Sequence, residues 1–424
     1  MSRTYILHLS QLATPEGRTA RAGADMARLN VIEDAALVLE GGNIAAVGTT
    51  AEVLEKMPPT ADSAVFDGAG RCAVPGFIDS HTHFLFGGYR AQEFLLRLQG
   101  AEYLDLLKAG GGIQSTVAAT RALSEKALLE LGRARLSEML SQGVTTVEGK
   151  SGYGLDLSCE LNLLRVLKTL NREGPLEVVP TYLGAHAVPK EFAGRADDYV
   201  TFMLEDVLPK VQKEGLAEFC DVFCEEGVFS VSQARRLLEG AKAMGFQAKL
   251  HADELAPSGG AELAAALPAV SADHLLRVSD EGIRALAEAS CVATLLPGTA
   301  FCMREPYAPA RRMMEAGCAV ALASDLNPGS CCCDSVPLLF ALAVLQMGLS
   351  VEEALTALTL NGAAAVGRAD RIGSLEVGKQ ADVVLLSCPS YAFLAYRTGA
   401  NLVEKVWKKG VAVYERETPH AGGF

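Results

Sequence analysis

The sequence predicts an α/β chain: a (β/α)8 TIM-type barrel with a small β-sandwich built from both termini. Two observations predict it. Between about residues 75 and 370, eight short apolar runs alternate with amphipathic or Ala-rich stretches, the order of a parallel barrel. At the two ends this alternation gives way to β-type runs separated by turns. The length, 424 residues, suits a large barrel with an appendage.

In chain order, residues 1–74 form the first part of the sandwich. Candidate strands are Thr4–Leu9, Ala36–Leu39 and Ile44–Val47, with Gly41-Gly42 as a hairpin turn. Residues 75–370 form the barrel domain. Its candidate strands are Phe77–His83, Val144–Glu148, Val178–Gly184, Cys220–Phe223, Gln247–His251, Ala269–His274, Cys291–Leu296 and Ala319–Asp325. Helical runs such as Lys126–Gln142 and Val231–Ala243 lie between them, and Ser350-Val351-Glu352-Glu353 reads as a capping box. Periodicity alone also fits an open doubly wound sheet, but no G-x-G-x-x-G follows a strand. Residues 371–424 complete the sandwich with Ala381–Leu386, Leu402–Lys408 and Val411–Tyr414, the last two flanking a Gly410 turn.

Half of the residues are hydrophobic, enough for a substantial core, and 21% charged residues are too few for a disordered chain. The net charge of −13 disfavours nucleic acid and anionic membrane as partners. An anionic small substrate then needs a local basic anchor. No leader pattern and no 18-residue apolar stretch is visible. Eleven cysteines without secretory context imply free thiols in a reducing compartment, so the chain is expected to be cytoplasmic.

Four strands finish in residues that metal chemistry uses: His81-Thr82-His83, His251-Ala252-Asp253-Glu254, Asp273-His274 and Asp325-Leu326-Asn327. An H-x-H at a strand end puts both imidazoles on one side. Barrel strands converge at their C-terminal ends, so residues distant in sequence can share one ion. A lone strand-end histidine is more often a satisfied hydrogen bonder than a ligand. Here five of the seven histidines, including His186, fall at strand ends, which chance explains poorly. His8 and His420 read as surface residues. Three His and one Asp suit a divalent ion with a position left open for water.

The run Pro75-Gly76-Phe77-Ile78-Asp79-Ser80-His81-Thr82-His83 resembles the first-strand signature of the amidohydrolase superfamily. The segment Gly373–Val384 is similar to that superfamily's return into its terminal β-sandwich. Further stretches resemble the branch that opens an imidazolone ring bearing a propanoate tail. They are Phe86–Arg90, Gly110–Thr116, Glu148–Gly154, Tyr182–Pro189, His251–Glu254 and Ser324–Ser330. Cys331-Cys332-Cys333, just after the last of these, departs from the small or polar residues expected there. It reads as small side chains packed near the barrel mouth rather than as metal ligands.

The resemblance implies a distorted (β/α)8 barrel and one divalent metal ion per subunit, Zn2+ or Fe, held by His81, His83, His251 and Asp325. It assigns substrate contacts to Arg90, Tyr153, His186, Glu254, Asn327, Gly329 and Ser330, and acid–base work to His274, Glu254, Asp325 and His186. His274 would contact or orient the attacking water. The implied reaction opens the cyclic amide of 4-imidazolone-5-propanoate to N-formimidoyl-L-glutamate, and a homodimer is expected. Arg90 suits the carboxylate tail through two-pronged pairing, although a surface pair with Glu93 explains it equally well. Gly152-Tyr153-Gly154 can approach a ligand or be an ordinary turn, and the same holds for the backbone N–H groups of Asn327–Ser330. In binuclear members a modified fourth-strand lysine bridges two metals. The fourth strand here ends in Cys224-Glu225-Glu226, and Lys150 follows the second, so a single ion is expected. Glu225 and Glu226 read as solvated or supporting residues. The alternatives are a deaminase acting on a purine, pyrimidine or related ring, and a non-catalytic scaffold, which the complete metal set disfavours.

Overall fold

The computed structural model describes residues 3–100 and 111–417; Gly110 and His420 lie outside the described residues. The N-terminal segment supplies β1 (Thr4–Thr14), β2 (Asn30–Glu40), β3 (Asn43–Thr49), β4 (Ala64–Asp67) and β5 (Cys72–Pro75). The barrel strands follow: β6 (Phe77–Asp79), β7 (Val144–Lys150), β8 (Glu177–Ala185), β9 (Phe219–Cys224), β10 (Gln247–Ala252), β11 (Ser271–His274), β12 (Val292–Leu295) and β13 (Val320–Leu322). The C-terminal segment adds β14 (Val383–Leu386), β15 (Val403–Lys408) and β16 (Val411–Glu415).

The two ends form one mixed sheet in the order β16-β15-β14-β5-β1-β2-β3, with β4 also on β1. The antiparallel pairing of β5 with β14 joins the two halves. Alternation along the strands gives the sheet two apolar faces. Ile6, Leu37, Val383, Leu385 and Trp407 pack on one; Tyr5, Leu7, Ala36 and Val38 pack on the other with Val53 of the helix Thr50–Lys56. Thus neither terminus needs its own core.

Strands β6 to β13 pair in parallel, each with its sequence neighbour, and helices flank them. The capping box at Ser350 and Glu353 forms as expected and opens the helix Val351–Leu358. Between β13 and β6 the described residues show no ladder, and the seam is closed by the chain just beyond the strands. Asp325 N–H donates to the His81 carbonyl at 3.0 Å, and His83 N–H to the Leu326 carbonyl at 3.0 Å. Ser324 N–H donates to the Asp79 carboxylate at 2.9 Å. The first and last barrel strands are therefore shorter than expected, stopping at Asp79 and Leu322. Past those points the backbone leaves the strand conformation: Asp325 has φ +52°, which no strand accommodates. No helix among the described residues is long and apolar enough to cross a membrane.

Candidate active site

His81 and His83 follow β6, His251 lies in β10 and Asp325 follows β13; all four are buried. Nε2 of His83 and of His251 are 3.2 Å apart. Asp325 Oδ1 lies 3.6 Å from His81 Nε2 and 3.5 Å from His83 Nε2. The three histidines each bring one nitrogen within 4.8 Å of the others, and His274 makes a similar group with His81 and Asp325. Burial holds His81 and His83 well below the usual histidine range, so both rings are neutral at pH 7. His81 Nε2 is buried and has no hydrogen-bond partner. A buried ring nitrogen without a donor, beside other inward nitrogens and a carboxylate, is what a bound cation would satisfy. The donor set therefore fits a divalent ion.

Behind this cluster stands a charged interior that sequence reasoning largely missed. His81 Nδ1 is 2.6 Å from Asp273 Oδ2, and His251 Nδ1 is 3.0 Å from Asp221 Oδ2. At His81 the carboxylate hydrogen-bonds Nδ1, which fixes the proton there and leaves the Nε2 lone pair facing inward. Lys150 Nζ lies 2.7 Å from Asp221, 2.9 Å from Glu148 and 3.7 Å from Asp273. Burial opposes its charge, but these carboxylates outweigh burial and hold it above the ordinary lysine value. Lys249 Nζ is 3.2 Å from Glu148 and also donates to the carbonyls of Ser80 and Ala365. Every side chain of this network is fully buried. The sequence signal was the period-two placement Glu148/Lys150 and Lys249/His251, which sends each pair to the same face of an otherwise apolar strand.

Around the cluster, His186 stacks on His83 with ring centroids 4.7 Å apart, and its Nδ1 lies 3.2 Å from the Gly152 carbonyl. Burial pushes it down to about 3. Tyr153 is buried, 5.2 Å from the His186 ring and 6.0 Å from the His83 ring. Its loop is no simple surface turn. Glu160 accepts the N–H groups of Gly152, Gly154 and Leu155. Gly152 has φ +102°, and a Cβ there would meet the Leu183 carbonyl at 2.7 Å. Glu254 Oε1 lies 3.5 Å from His274 Nδ1, and burial, helped by Asp325, pushes Glu254 up to about 8. Asp325 is pushed up to about 6 by burial, although Thr299 Oγ1 donates to its Oδ2 at 2.6 Å. Thr299 was not singled out in the sequence. Glu225 is buried and accepts from Leu255 N–H and Ser258 Oγ, so it ties down the loop after β10. Glu226 is exposed.

Arg90 is paired with Glu93: Nε and Nη2 both donate to Oε2, at 3.0 and 2.7 Å. That pair does not remove it from the site. Its Nη1 faces Gly329, where an added Cβ would lie 2.4 Å away. Arg90, Arg97, Cys302, Gly329 and Ser330 line a cavity of about 240 Å³. Arg97, absent from the sequence reading, donates to the Gly329 carbonyl at 3.0 Å. The N–H groups of Gly329 and Ser330 both donate to Asn327 Oδ1, at 2.8 Å each. They are thus used inside the turn rather than offered to a ligand. Cys331 is buried, Cys332 exposed and Cys333 half-buried, and none joins a metal-ligating group among the described residues.

The sequence profile of the amidohydrolase family matches residues 72–413. An imidazolonepropionase from Parabacteroides distasonis is 56% identical over 96% of this chain and 98% of its own length. One from Clostridium tetani is 52% identical over 97% and 98%. The chain belongs to the amidohydrolase family, among its imidazolonepropionases. Solved structures agree on the fold. An atrazine chlorohydrolase mutant from Arthrobacter aurescens, complexed with zinc and atraton, superimposes with a TM-score of 0.71 at 18% identity, covering 99% of this chain and 97% of that one. An adenosine deaminase from Xanthomonas campestris with bound zinc gives 0.69 at 20% identity, covering 97% and 92%.

Proposed function

We propose that this chain hydrolyses the cyclic amide bond of 4-imidazolone-5-propanoate to N-formimidoyl-L-glutamate, a step of histidine degradation. The observation that carries this reading is near-full-length identity above one half to proteins of that name. The convergent cluster of His81, His83, His251 and Asp325 supports it, as does the guanidinium-lined cavity at Arg90.

One divalent ion, zinc or iron, is proposed at His81, His83, His251 and Asp325. A single ion is proposed because the fourth barrel strand ends in Cys224-Glu225-Glu226, with no lysine to bridge two ions, and Lys150 on the second is engaged with Asp221 and Glu148. Such an ion polarises water and carbonyl oxygen, lowering the pKa of water towards roughly 7. The chain does the rest. Arg90 Nη1, free of Glu93, pairs with the propanoate, and Arg97 adds positive potential. The Tyr153 hydroxyl and the neutral His186 ring bound the imidazolone. Asp325, whose Oδ1 faces the inward nitrogens of His81 and His83, would accept the proton of the attacking water. Glu254, protonated at neutral pH and 3.5 Å from His274 Nδ1, donates a proton to the departing ring nitrogen. A cytoplasmic homodimer belongs to the same proposal.

The test is incubation of the metal-loaded enzyme with 4-imidazolone-5-propanoate and identification of the product by NMR. Formation of N-formimidoyl-L-glutamate is expected. In Arg90→Ala, kcat/KM for the acid should fall by roughly 1.5–3 kcal/mol, the scale of a hydrogen bond to a charged group. An uncharged amide analogue should barely distinguish the two proteins. Ammonia release from a nucleobase, with the imidazolone left intact, would favour the deaminase reading instead.

A further inference from the structure

The three-cysteine run plays no part in the chemistry above, yet it meets a fourth cysteine at the cavity. Cys302 sits in the helix Pro297–Met303 and lines the cavity together with Arg90 and Arg97. Cys331 is buried against the same helix: a Cβ built on Gly298 would lie 2.9 Å from Cys331 Sγ. Gly298 and Cys302 are four residues apart and share a helix face, so the missing side chain at 298 makes room for the Cys331 thiol beside Cys302. The two thiols lie within hydrogen-bonding reach of each other.

We propose that Cys302 and Cys331 form a peroxide-responsive thiol pair. Cys302 is the attacking thiol and Cys331 the resolving one, and the disulfide they form slows turnover. The two thiols are placed for different work. Cys302 is half-buried, open to the cavity and near Arg97, whereas Cys331 is enclosed. The facing Cys331 thiol, with help from Arg97, brings Cys302 down to about 7, and the same contact pushes Cys331 up. A thiolate open to a cavity beside a neutral buried thiol is the arrangement that peroxide chemistry uses. In the first step the Cys302 thiolate attacks hydrogen peroxide. The O–O bond breaks, the sulfur is oxidised to sulfenic acid, and hydroxide leaves. In the second step the Cys331 sulfur attacks that sulfenic sulfur, the S–O bond breaks, and the Cys331 proton departs with the oxygen as water.

The link has a mechanical consequence. Cys331 closes the turn that carries Asn327, Gly329 and Ser330, because its carbonyl accepts the Asn327 N–H at 2.9 Å. The helix bearing Cys302 also bears Thr299, which holds Asp325. A disulfide would join the turn covalently to that helix and restrict both sides of the cavity.

The test treats the intact metal-loaded enzyme with hydrogen peroxide and maps disulfides by non-reducing peptide mass spectrometry. A linked pair of peptides spanning Cys302 and Cys331, lighter by two hydrogens than the separate peptides, is expected. It should disappear with dithiothreitol. Cys331→Ser should trap sulfenic acid on Cys302, detected as a dimedone adduct, while Cys302→Ser should give neither adduct nor link. Each protein's turnover is compared with its own untreated sample. The wild type should slow several-fold on oxidation and recover with dithiothreitol, and Cys302→Ser should not respond. Absence of the link, or a link from Cys302 to Cys332 or Cys333 instead, overturns the pairing. A fully linked enzyme with unchanged turnover overturns the coupling to the active site.

Discussion

Lys150→Met removes the ammonium at the centre of the barrel interior while keeping the length of the side chain. Lys150 Nζ now sits 2.7 Å from Asp221 and 2.9 Å from Glu148, with Asp273 at 3.7 Å, and none of these groups touches solvent. Removing one partner from a buried charge pair costs about 3–5 kcal/mol. The fold can escape by protonating one carboxylate. At pH 7 that costs about 1.4 kcal/mol for each unit between the pH and the carboxylate's ordinary pKa, hence roughly 4 kcal/mol. The two routes agree on the size of the loss. They also fix its pH dependence. The variant's folded state binds a proton that the unfolded chain releases near pH 4, so its deficit shrinks as pH falls. At about pH 5.5 the deficit should be smaller by roughly 2 kcal/mol. The assay is urea unfolding of wild type and variant, both metal-loaded, at the two pH values, with elemental analysis alongside. Metal content should stay near one ion per chain, because Lys150 supports ligands and is not one. A deficit below about 1 kcal/mol at pH 7, or one independent of pH, would refute the reasoning. Loss of metal from a folded variant would show that the ligands depend on Lys150 for their placement.

Three more expectations follow from the geometry. Asp325→Ala should lose most of its metal and nearly all turnover; a full metal complement by elemental analysis would remove Asp325 from the ligand set. Gly329→Ala places a methyl 2.4 Å from Arg90 Nη1 and should displace the guanidinium, raising KM for the carboxylate substrate with the metal retained. Unchanged steady-state kinetics would take Arg90 out of the site. Asp79 is pushed up to about 7 by burial, so the folded state holds its proton more tightly than the unfolded chain. Stability should therefore fall as pH rises from about 4 to 7, by at most about 1.4 kcal/mol per unit. Asp79→Asn lacks that slope and should gain on the wild type between pH 5 and 8; parallel unfolding midpoints across that range would contradict it.

The barrel was legible because each strand is a short apolar run, and the His and Asp residues that punctuate those runs mark the ends where a site assembles. What could not be read depends on closure. Glu148, Asp221, Lys249 and Asp273 look like isolated charges on four different strands, and they become partners only when curvature brings those strands face to face. The ends of β6 and β13 were placed too late because the chain there bonds across the seam instead of continuing a ladder. In the terminal sheet, β4 escaped notice because its residues Ala64–Asp67 are mostly exposed and carry no alternation. β5 is a four-residue strand ending in Pro75, which reads as a turn until β14 pairs with it. Arg90 shows the reverse difficulty. The pair with Glu93 is present, but it uses only Nε and Nη2, and the remaining edge of the guanidinium still lines a cavity, so the pair does not decide between the two readings.

The barrel seam bears on how the protein is made. Its closing contacts join residues near position 80 to residues near 325, and the terminal sheet waits for β14 near 385. A ribosome adding about 5–20 residues per second leaves His81 and His83 without Asp325 for roughly 10–50 s. During that interval the nascent chain exposes an incomplete, nitrogen-rich site to whatever metal is at hand. An ion at the proposed site would gain its Asp325 ligand only when the last strand arrives, through the same backbone bonds that shut the barrel.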